Sequence, residues 1–209
     1  MRKTRRAGRP TAEETEQLNE AIVRAALELF TEHGVAETTF EMIAKACGTT
    51  RRSISHRFAD KSALLIAAIE LVSAEYRQRV FTPAAVLVGK PLEAVRHACR
   101  ATFDYVCDGE FVAFYRLAIA ESARSPVAGE VLIRLNDRFA DELEVLVVRA
   151  QREGLFADQD PASTATALIG VFLSNPLNRR AFGDPQFRDD ALRTQYFESL
   201  WTLVARHSA

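Results

Sequence analysis

The sequence predicts an all-α protein with a small three-helix unit near the N-terminus and a larger helical domain after it. Apolar residues recur every three or four positions through most of its 209 residues. Capping residues, glycines and prolines divide these periodic segments. Strand-like alternation flanking an Asn-Gly or Asp-Gly turn is missing. We therefore expect three parts, namely a basic flexible arm over 1–10, a helical domain over 11–60 and a second helical domain over 61–209.

The composition places the chain among ordinary globular proteins, with 48% apolar and 26% charged residues. Its wholly apolar runs, such as 63–69 and 167–173, are far shorter than the roughly 18 residues that indicate a membrane span. The charged N-terminus has no apolar stretch behind it, so we expect a cytoplasmic protein without a signal peptide.

The first predicted helix runs from about Thr11 to His33. Thr11 and Glu14 have the spacing of a capping box, and Gly34 provides a stop signal. The apolar stripe of this helix is expected to pack under the helices that follow.

The segment from Thr38 to Lys61 predicts a helix, a tight turn and a second short helix. Thr38 and Glu41 have capping-box spacing, and Gly48 suits the positive φ of a helix C-cap. Thr50 is placed to cap the next helix. This arrangement indicates a helix-turn-helix.

The second short helix has only Ile54 and Phe58 as large apolar residues, and they share one face because they are four positions apart. Its other positions are hydrogen-bond donors without an acid: Arg51, Arg52, Ser53, Ser55, His56 and Arg57. Base edges and phosphates in the major groove of DNA match such donors. The alternative is a solvated basic surface helix.

The amino-acid sequence of this segment resembles that of the TetR family of bacterial transcriptional regulators. The resemblance rests on Ile43-Ala44, on 47–50, on Ser53-Ile54-Ser55-His56-Arg57-Phe58 and on Lys61-Ser62-Ala63-Leu64. Ser55 stands where the family usually has tyrosine and Arg57 where it usually has histidine. The resemblance implies a DNA-binding N-terminal domain, a helical effector-binding domain and no enzymatic activity.

Two sets of DNA contacts are expected within the helix-turn-helix. For base reading we select Arg51, Arg52, Ser55 and His56. For the DNA backbone we select Thr38, Thr39, Arg57 and Lys61, with Thr50 beside them. The family's matching lysine contacts a phosphate, so the resemblance gives Lys61 that role.

The first ten residues hold five basic side chains and no acid: Arg2, Lys3, Arg5, Arg6 and Arg9. Such a block beside a DNA-reading unit is typical of an arm that follows phosphates or enters the minor groove. From it we select Arg5, Arg6 and Arg9 as DNA contacts. The alternative is a solvated tail.

Five further helices are predicted after the one that begins at Lys61. They begin near Leu92, Phe111, Ala128, Asp160-Pro161 and Phe187, with a break at Asn175-Pro176 between the last two. The residues 114–126 resemble one C-terminal subclass of the family. The resemblance implies a homodimer whose last two long helices pair across a two-fold axis. Phe197 and Trp201 widen the apolar face of the last helix, which predicts either a partner surface or core contact with the seventh helix.

No motif of a hydrolase, nucleotide-binding site or metalloenzyme is found, so we expect no catalytic residue, no metal and no cofactor. The resemblance places an effector pocket among the middle helices. Its candidate lining residues are His97, Phe103, Phe114, Tyr115, Arg116 and Glu121. Aromatic core packing is the alternative. Cys99 and Cys107, eight residues apart on one helix face, could be redox-sensitive thiols or small core residues.

The prediction is therefore a ligand-responsive regulator, a repressor by analogy with the family, that binds a palindromic double-stranded DNA operator as a homodimer and responds to an unidentified small molecule. One alternative is a helical small-molecule-binding protein that has lost sequence-specific DNA binding. Another is a nucleoid-type protein that binds DNA through its arm without sequence choice.

Overall fold

The computed structural model describes residues 11–87, 89–157 and 159–206, and all regular secondary structure within these ranges is helical. The all-α prediction is therefore confirmed for the described chain. The expected arm over 1–10, with Arg5, Arg6 and Arg9, lies outside the described residues. None of the described helices is both long enough and apolar enough to cross a membrane.

The chain divides into two compact units, with the division between Leu71 and Val72. The sequence predicts a domain boundary after residue 60, where a helix begins. The structure instead divides the chain within that helix, since its first turns bury Leu64, Leu65 and Ala68 as part of the N-terminal unit.

The N-terminal unit contains three helices and the start of a fourth: α1 Ala12–Glu37, α2 Phe40–Ala46, α3 Arg51–Arg57 and α4 Lys61–Ala85. The capping box of α1 is confirmed, because Thr11 Oγ1 accepts from the Glu14 amide at 3.1 Å and Glu14 Oε2 accepts from the Thr11 amide at 2.8 Å. Gly34 interrupts α1 with a φ of 81°, and a further turn carries the helix to Glu37.

The predicted capping box of Thr38 and Glu41 is wrong, and the cap lies one residue later. Thr39 caps α2 by accepting from the Met42 amide at 3.2 Å. Thr38 belongs to the end of α1, where its hydroxyl donates to the carbonyls of Gly34 and Leu29 at 2.8 and 3.2 Å. Thr38 and Thr39 have the same hydroxyl group and are equally suited to cap a helix. Which of them caps α2 therefore depends on the extra turn after Gly34.

The C-terminal unit consists of the rest of α4 and the helices after it. These are α5 Pro91–Val106, α6 Gly109–Ser122, α7 Pro126–Gln151, α8 Pro161–Ile169, α9 Asn175–Ala181 and α10 Asp190–Arg206. Short helical turns are found at Gly170–Ser174, which is π-helical, and at Pro185–Phe187, which is 3-10.

The expected break at Asn175-Pro176 is wrong, because the helical path continues through the π turn into α9. Proline lacks an amide hydrogen, and its ring collides with the preceding turn of a regular α-helix. The wider π turn relieves this conflict by inserting one residue, and the Asn175 amide donates to the carbonyl of Gly170.

Aromatic side chains form the centre of the C-terminal core. Phe197 lies with its ring centroid 5.1 Å from that of Phe172 and 5.6 Å from that of Phe103, and Trp201 stacks parallel to Phe197. Phe197 and Trp201 are buried within their own subunit. The predicted partner surface is therefore wrong, and the pair packs in the core against Phe103 of α5 and Phe172 of the π turn. The expected contact with the seventh helix, α7, stays a prediction.

A candidate nucleic-acid interface and a C-terminal cavity

Helix α3 is anchored by one apolar side chain and exposes its donors on the opposite side. Ile54 is completely buried, whereas Arg52 and His56 are exposed. Residues three and four apart lie on the same helix face, so Arg52, Ser55 and His56 form one continuous polar strip. The helix is capped by Thr50, whose Oγ1 accepts from the Ser53 amide at 3.1 Å.

The turn before α3 depends on Gly48. Its φ is 66°, and the Thr49 amide after it donates to the carbonyl of Ala44 at 2.9 Å. This hydrogen bond closes the end of α2 and fixes the direction in which α3 begins.

Two of the predicted base-reading residues already have partners within the helix-turn-helix. Arg51 Nε lies 3.1 Å from Glu41 Oε1 on α2, and both side chains are largely exposed. Ser55 Oγ donates to the carbonyl of Arg51 at 3.0 Å, which leaves its oxygen as an acceptor. Exposed ion pairs contribute only about 0–1 kcal/mol, so Arg51 exchanges Glu41 for another anion at little cost.

Arg57 is turned back along α3. One terminal nitrogen donates to the carbonyl and the hydroxyl of Ser53 at 3.1 and 3.0 Å, while its Nε is buried without a hydrogen-bond partner. Its guanidinium is therefore held half-buried beside α3.

Lys61 and the threonines before α2 differ in what they offer to solvent. Lys61 Nζ donates to the carbonyl of Ala36 at 2.7 Å, which satisfies one of its three donors. Thr39 is exposed, but Thr38 is completely buried and donates within α1. The prediction of Thr38 as a backbone contact is therefore wrong, because its hydroxyl is not available at the surface, whereas Thr39 stays a prediction.

A small cavity lies in the C-terminal unit, with an empty volume of about 250 Å³ including its opening to solvent. Its aromatic walls are Phe81, Phe139 and Phe172. Its aliphatic walls are Ala98, Leu143, Leu168 and Ile169. Its polar atoms come from Tyr76, Cys99 and Thr102.

None of the six effector-binding candidates lines this cavity. Phe103 and Phe114 are buried in the core, and the Tyr115 hydroxyl donates to Asn178 Oδ1 at 3.2 Å. Arg116 donates to the carbonyl of Ala181, and Glu121 is paired with Arg124 at 2.8 Å.

Of the six candidates, His97 has a ring nitrogen, Nε2, that is buried without a hydrogen-bond partner.

The residues that line the cavity could not be found from the sequence, because they are far apart along the chain. Tyr76 and Thr102 are 26 positions apart, and a search for aromatic and charged clusters along the chain does not connect them.

The two core cysteines are poor candidates for redox sensing. Both are buried, and burial raises the pKa of Cys107 to about 11 and that of Cys99 further still. Because the thiolate is the reactive form, both thiols stay protonated and unreactive near neutral pH. The interpretation as small core residues is the one that the structure supports.

Two family models match the chain. "Bacterial regulatory proteins, tetR family" matches residues 22–68, and "AefR-like transcriptional repressor, C-terminal domain" matches residues 93–206, more than half of the chain. The chain belongs to the TetR family. Its α2 and α3 are accordingly the helix-turn-helix of a DNA-binding transcriptional regulator, as their residue pattern indicated.

This TetR-family protein is similar in sequence to the HTH-type transcriptional regulator AcrR of Shigella flexneri. The two are 35% identical over 88 residues, which is 42% of this chain and 41% of AcrR. The match thus spans about two fifths of that relative.

Solved structures of the family share the fold of this protein. A protein of Mesorhizobium loti assigned to the family has a TM-score of 0.83 at 21% identity, covering 96% of this chain and all of the other. GusR of Salmonella enterica has a TM-score of 0.70 at 23% identity, covering 91% and 96%. AibR in complex with isovaleryl coenzyme A and operator DNA has a TM-score of 0.66 at 19% identity, covering 92% and 100%.

Proposed function

We propose that this TetR-family protein is a ligand-responsive repressor that binds a palindromic operator as a homodimer. The observation that carries the proposal is the exposed strip of donors on α3, opposite the buried Ile54 and without an acidic residue among them. An α-helix with this surface suits the major groove, because base edges and phosphates there accept hydrogen bonds.

Base reading is assigned to the exposed strip and to Arg51. Arg51 and Arg52 suit guanine, whose O6 and N7 accept two hydrogen bonds from one guanidinium. His56 is exposed one turn after Arg52. Ser55 uses its hydrogen within the helix, so its oxygen suits an amino group of adenine or cytosine.

Backbone contacts are assigned to the edges of the helix-turn-helix. Thr39 and Thr50 cap their helices through oxygen lone pairs, so each keeps a hydroxyl hydrogen for a phosphate. Lys61 keeps two of its three donors, and Arg57 presents its cation beside α3. Arg5, Arg6 and Arg9 remain predicted contacts outside the described residues.

Dimerisation is assigned to the last two long helical segments, Pro161 to Ala181 and α10. Helix α10 exposes Leu192 and Leu203 at 44% and 54% of their surface. The segment before it exposes small residues, Ala167 and Gly170 among them, which permit close approach of another helix. Exposed apolar side chains beside small ones are typical of a helix-pairing surface.

Ligand response is assigned to α4, which carries Lys61 at its start and Tyr76 in the wall of the cavity. A ligand shifts a two-state equilibrium only as far as it binds one state better, and a full switch needs about 5.5 kcal/mol. AibR, a structural relative, has been crystallised with both an acyl coenzyme A and operator DNA.

The test is selection from a randomised duplex pool by the full chain, followed by sequencing of the retained DNA. An enriched palindrome with half-site centres about 34–36 Å apart, or a multiple of this, supports a dimeric sequence reader. Retention without enrichment favours the nonspecific nucleoid-type protein. Failure to retain any DNA favours the helical small-molecule-binding protein.

A further inference from the structure

The cavity of the C-terminal unit has walls without formal charge. No Asp, Glu, Lys, Arg or His is among the described residues that line it. An ionised ligand would lose its hydration there without gaining a counter-charge, and such transfer is strongly unfavourable. The walls therefore select an uncharged ligand.

The polar feature that stands out in these walls is a pair of buried hydroxyls. Tyr76 Oη and Thr102 Oγ1 lie 2.8 Å apart, and both residues are more than nine-tenths buried. Each hydroxyl has one hydrogen to donate, and their mutual hydrogen bond uses only one of the two. Among the described residues, neither hydroxyl has another acceptor within hydrogen-bond distance.

One donor of the pair is thus left without an acceptor inside an apolar wall. Buried donors are almost always satisfied, so an orphan here needs an explanation. A bound molecule with a carbonyl, ester or ether oxygen would accept that hydrogen. Tyr105 differs in this respect, because its hydroxyl donates to the carbonyl of Val72.

Aromatic side chains close the cavity, which in this form has room for about one water molecule. The rings of Tyr76 and Phe139 lie 4.3 Å apart at their centroids, and Phe172 comes from the π turn. Single π turns inside α-helices are frequent at functional sites. Rotation of these rings would admit a flat apolar molecule and leave it between aromatic faces.

We propose that this cavity binds a small uncharged molecule that is mostly apolar and has one hydrogen-bond acceptor, of the aryl ketone or ester class. The acceptor binds the free hydrogen of the Tyr76–Thr102 pair, and the apolar body contacts Phe139 and Phe172. This inference rests on the proposed ligand response, for which it names the ligand class.

Three probes of similar size test the inference by titration calorimetry with the full chain and no DNA. Acetophenone is neutral with a carbonyl acceptor, ethylbenzene lacks the acceptor, and benzoate is an anion. We expect acetophenone to bind about tenfold more tightly than ethylbenzene, the effect of one neutral hydrogen bond. Benzoate is expected to bind weakest.

The decisive variant is the double substitution Tyr76→Phe with Thr102→Val. Each single substitution leaves one hydroxyl that still donates to the ligand, so the preference for acetophenone persists. The double variant removes both hydroxyls, so acetophenone and ethylbenzene are expected to bind it with about equal affinity. Because both partners are replaced by apolar groups of similar shape, the variant is expected to fold, as far-UV circular dichroism would show. Tyr105→Phe is the matched control and keeps the preference.

Several results would overturn the inference. They are binding of benzoate as tight as that of acetophenone, a preference that survives in the double variant, and failure of all three probes to bind. Operator binding is measured separately. If no probe binds but the operator still does, the ligand class is rejected and the proposed DNA-binding function is kept. Probe binding with the expected signature but no effect on operator affinity would keep the site and reject its role in regulation.

Discussion

The side chains of α3 have two roles: some anchor the helix to the N-terminal unit, and others are exposed to solvent. Ile54 is buried and fixes the helix, while the Thr50 hydroxyl accepts from the Ser53 amide in its first turn. Arg52 is exposed, and no partner for its guanidinium is found among the described residues. A cation so placed is ready for a base edge or a phosphate, and a substitution distinguishes the two.

Arg52→Ala is expected to weaken operator binding by roughly 1–3 kcal/mol and to relax the choice of base at one operator position. The physical reason is the loss of a guanidinium that donates two hydrogen bonds to one base. Fluorescence anisotropy with operator and random duplexes measures the change, and Arg152→Ala, at the exposed end of α7, is the control. Equal weakening on both duplexes would make Arg52 a phosphate contact.

Burial of two tyrosine side chains makes the stability of the C-terminal unit change with pH in the alkaline range. Burial raises the pKa of Tyr105 from 10.0 to about 12, and burial raises that of Tyr76 still further. Above pH 10 the unfolded chain loses these protons while the native chain retains them. The free energy of unfolding should therefore be unaffected by these groups below pH 10 and fall as pH rises towards 12 and beyond.

Tyr105→Phe should remove its share of this alkaline loss. Urea denaturation followed by circular dichroism at several values above pH 9 measures it. Tyr115→Phe, which also deletes a hydroxyl with a hydrogen-bond partner, is the control. An unchanged pH dependence in Tyr105→Phe would show that this hydroxyl is not responsible.

At the scale of an element, the direction of α3 depends on the turn that precedes it. Gly48 adopts a positive φ, and a Cβ there would meet nothing within 4 Å. A side chain at this position would therefore be disfavoured by backbone conformation and not by crowding. Residues other than glycine pay roughly 1–2 kcal/mol in this region of φ and ψ.

Gly48→Ala is thus expected to lower the free energy of unfolding of the N-terminal unit by about 1–2 kcal/mol and to reduce operator affinity. Gly129→Ala near the start of α7 is the matched control, because the added Cβ would lie 3.8 Å from Ser122 Cβ, an ordinary contact. This control should be neutral or stabilising by up to about 1 kcal/mol. Equal effects of the two substitutions in urea denaturation would contradict the role of positive φ.

At the scale of the whole molecule, the proposed dimer doubles the number of phosphates in contact with cations. If about eight phosphates are neutralised per dimer, the logarithm of operator affinity should fall against the logarithm of salt concentration with a slope near −7. Anisotropy titrations between about 50 and 300 mM salt give the slope. A slope near zero would argue against groove binding.

Leu203→Glu is expected to dissociate the dimer, because it places a charge in the proposed pairing surface of α10. Sedimentation velocity should show a shift to monomer, and operator affinity should fall with it. Ile133→Glu on α7, where the apolar side chain is 63% exposed, is the matched control and should leave the dimer intact. A dimer that survives Leu203→Glu would place the interface elsewhere.

Local signals in the sequence determined most of the helices and indicated α3 as the proposed DNA-reading helix. The capping box of Thr11 and Glu14, the stop at Gly48 and the cap at Thr50 depend on atoms a few positions apart, so spacing alone suffices to find them. The donor-rich composition of α3 is equally local. Fold class and family followed from these patterns.

Tertiary packing decided what spacing leaves open. The extra turn after Gly34 buried Thr38 and gave the cap to Thr39, and the π turn carried the chain past Pro176. Long-range contacts placed Phe197 in the core and brought Thr102 to Tyr76. A side chain's partner across the fold depends on how whole helices pack, which periodicity along one helix does not encode.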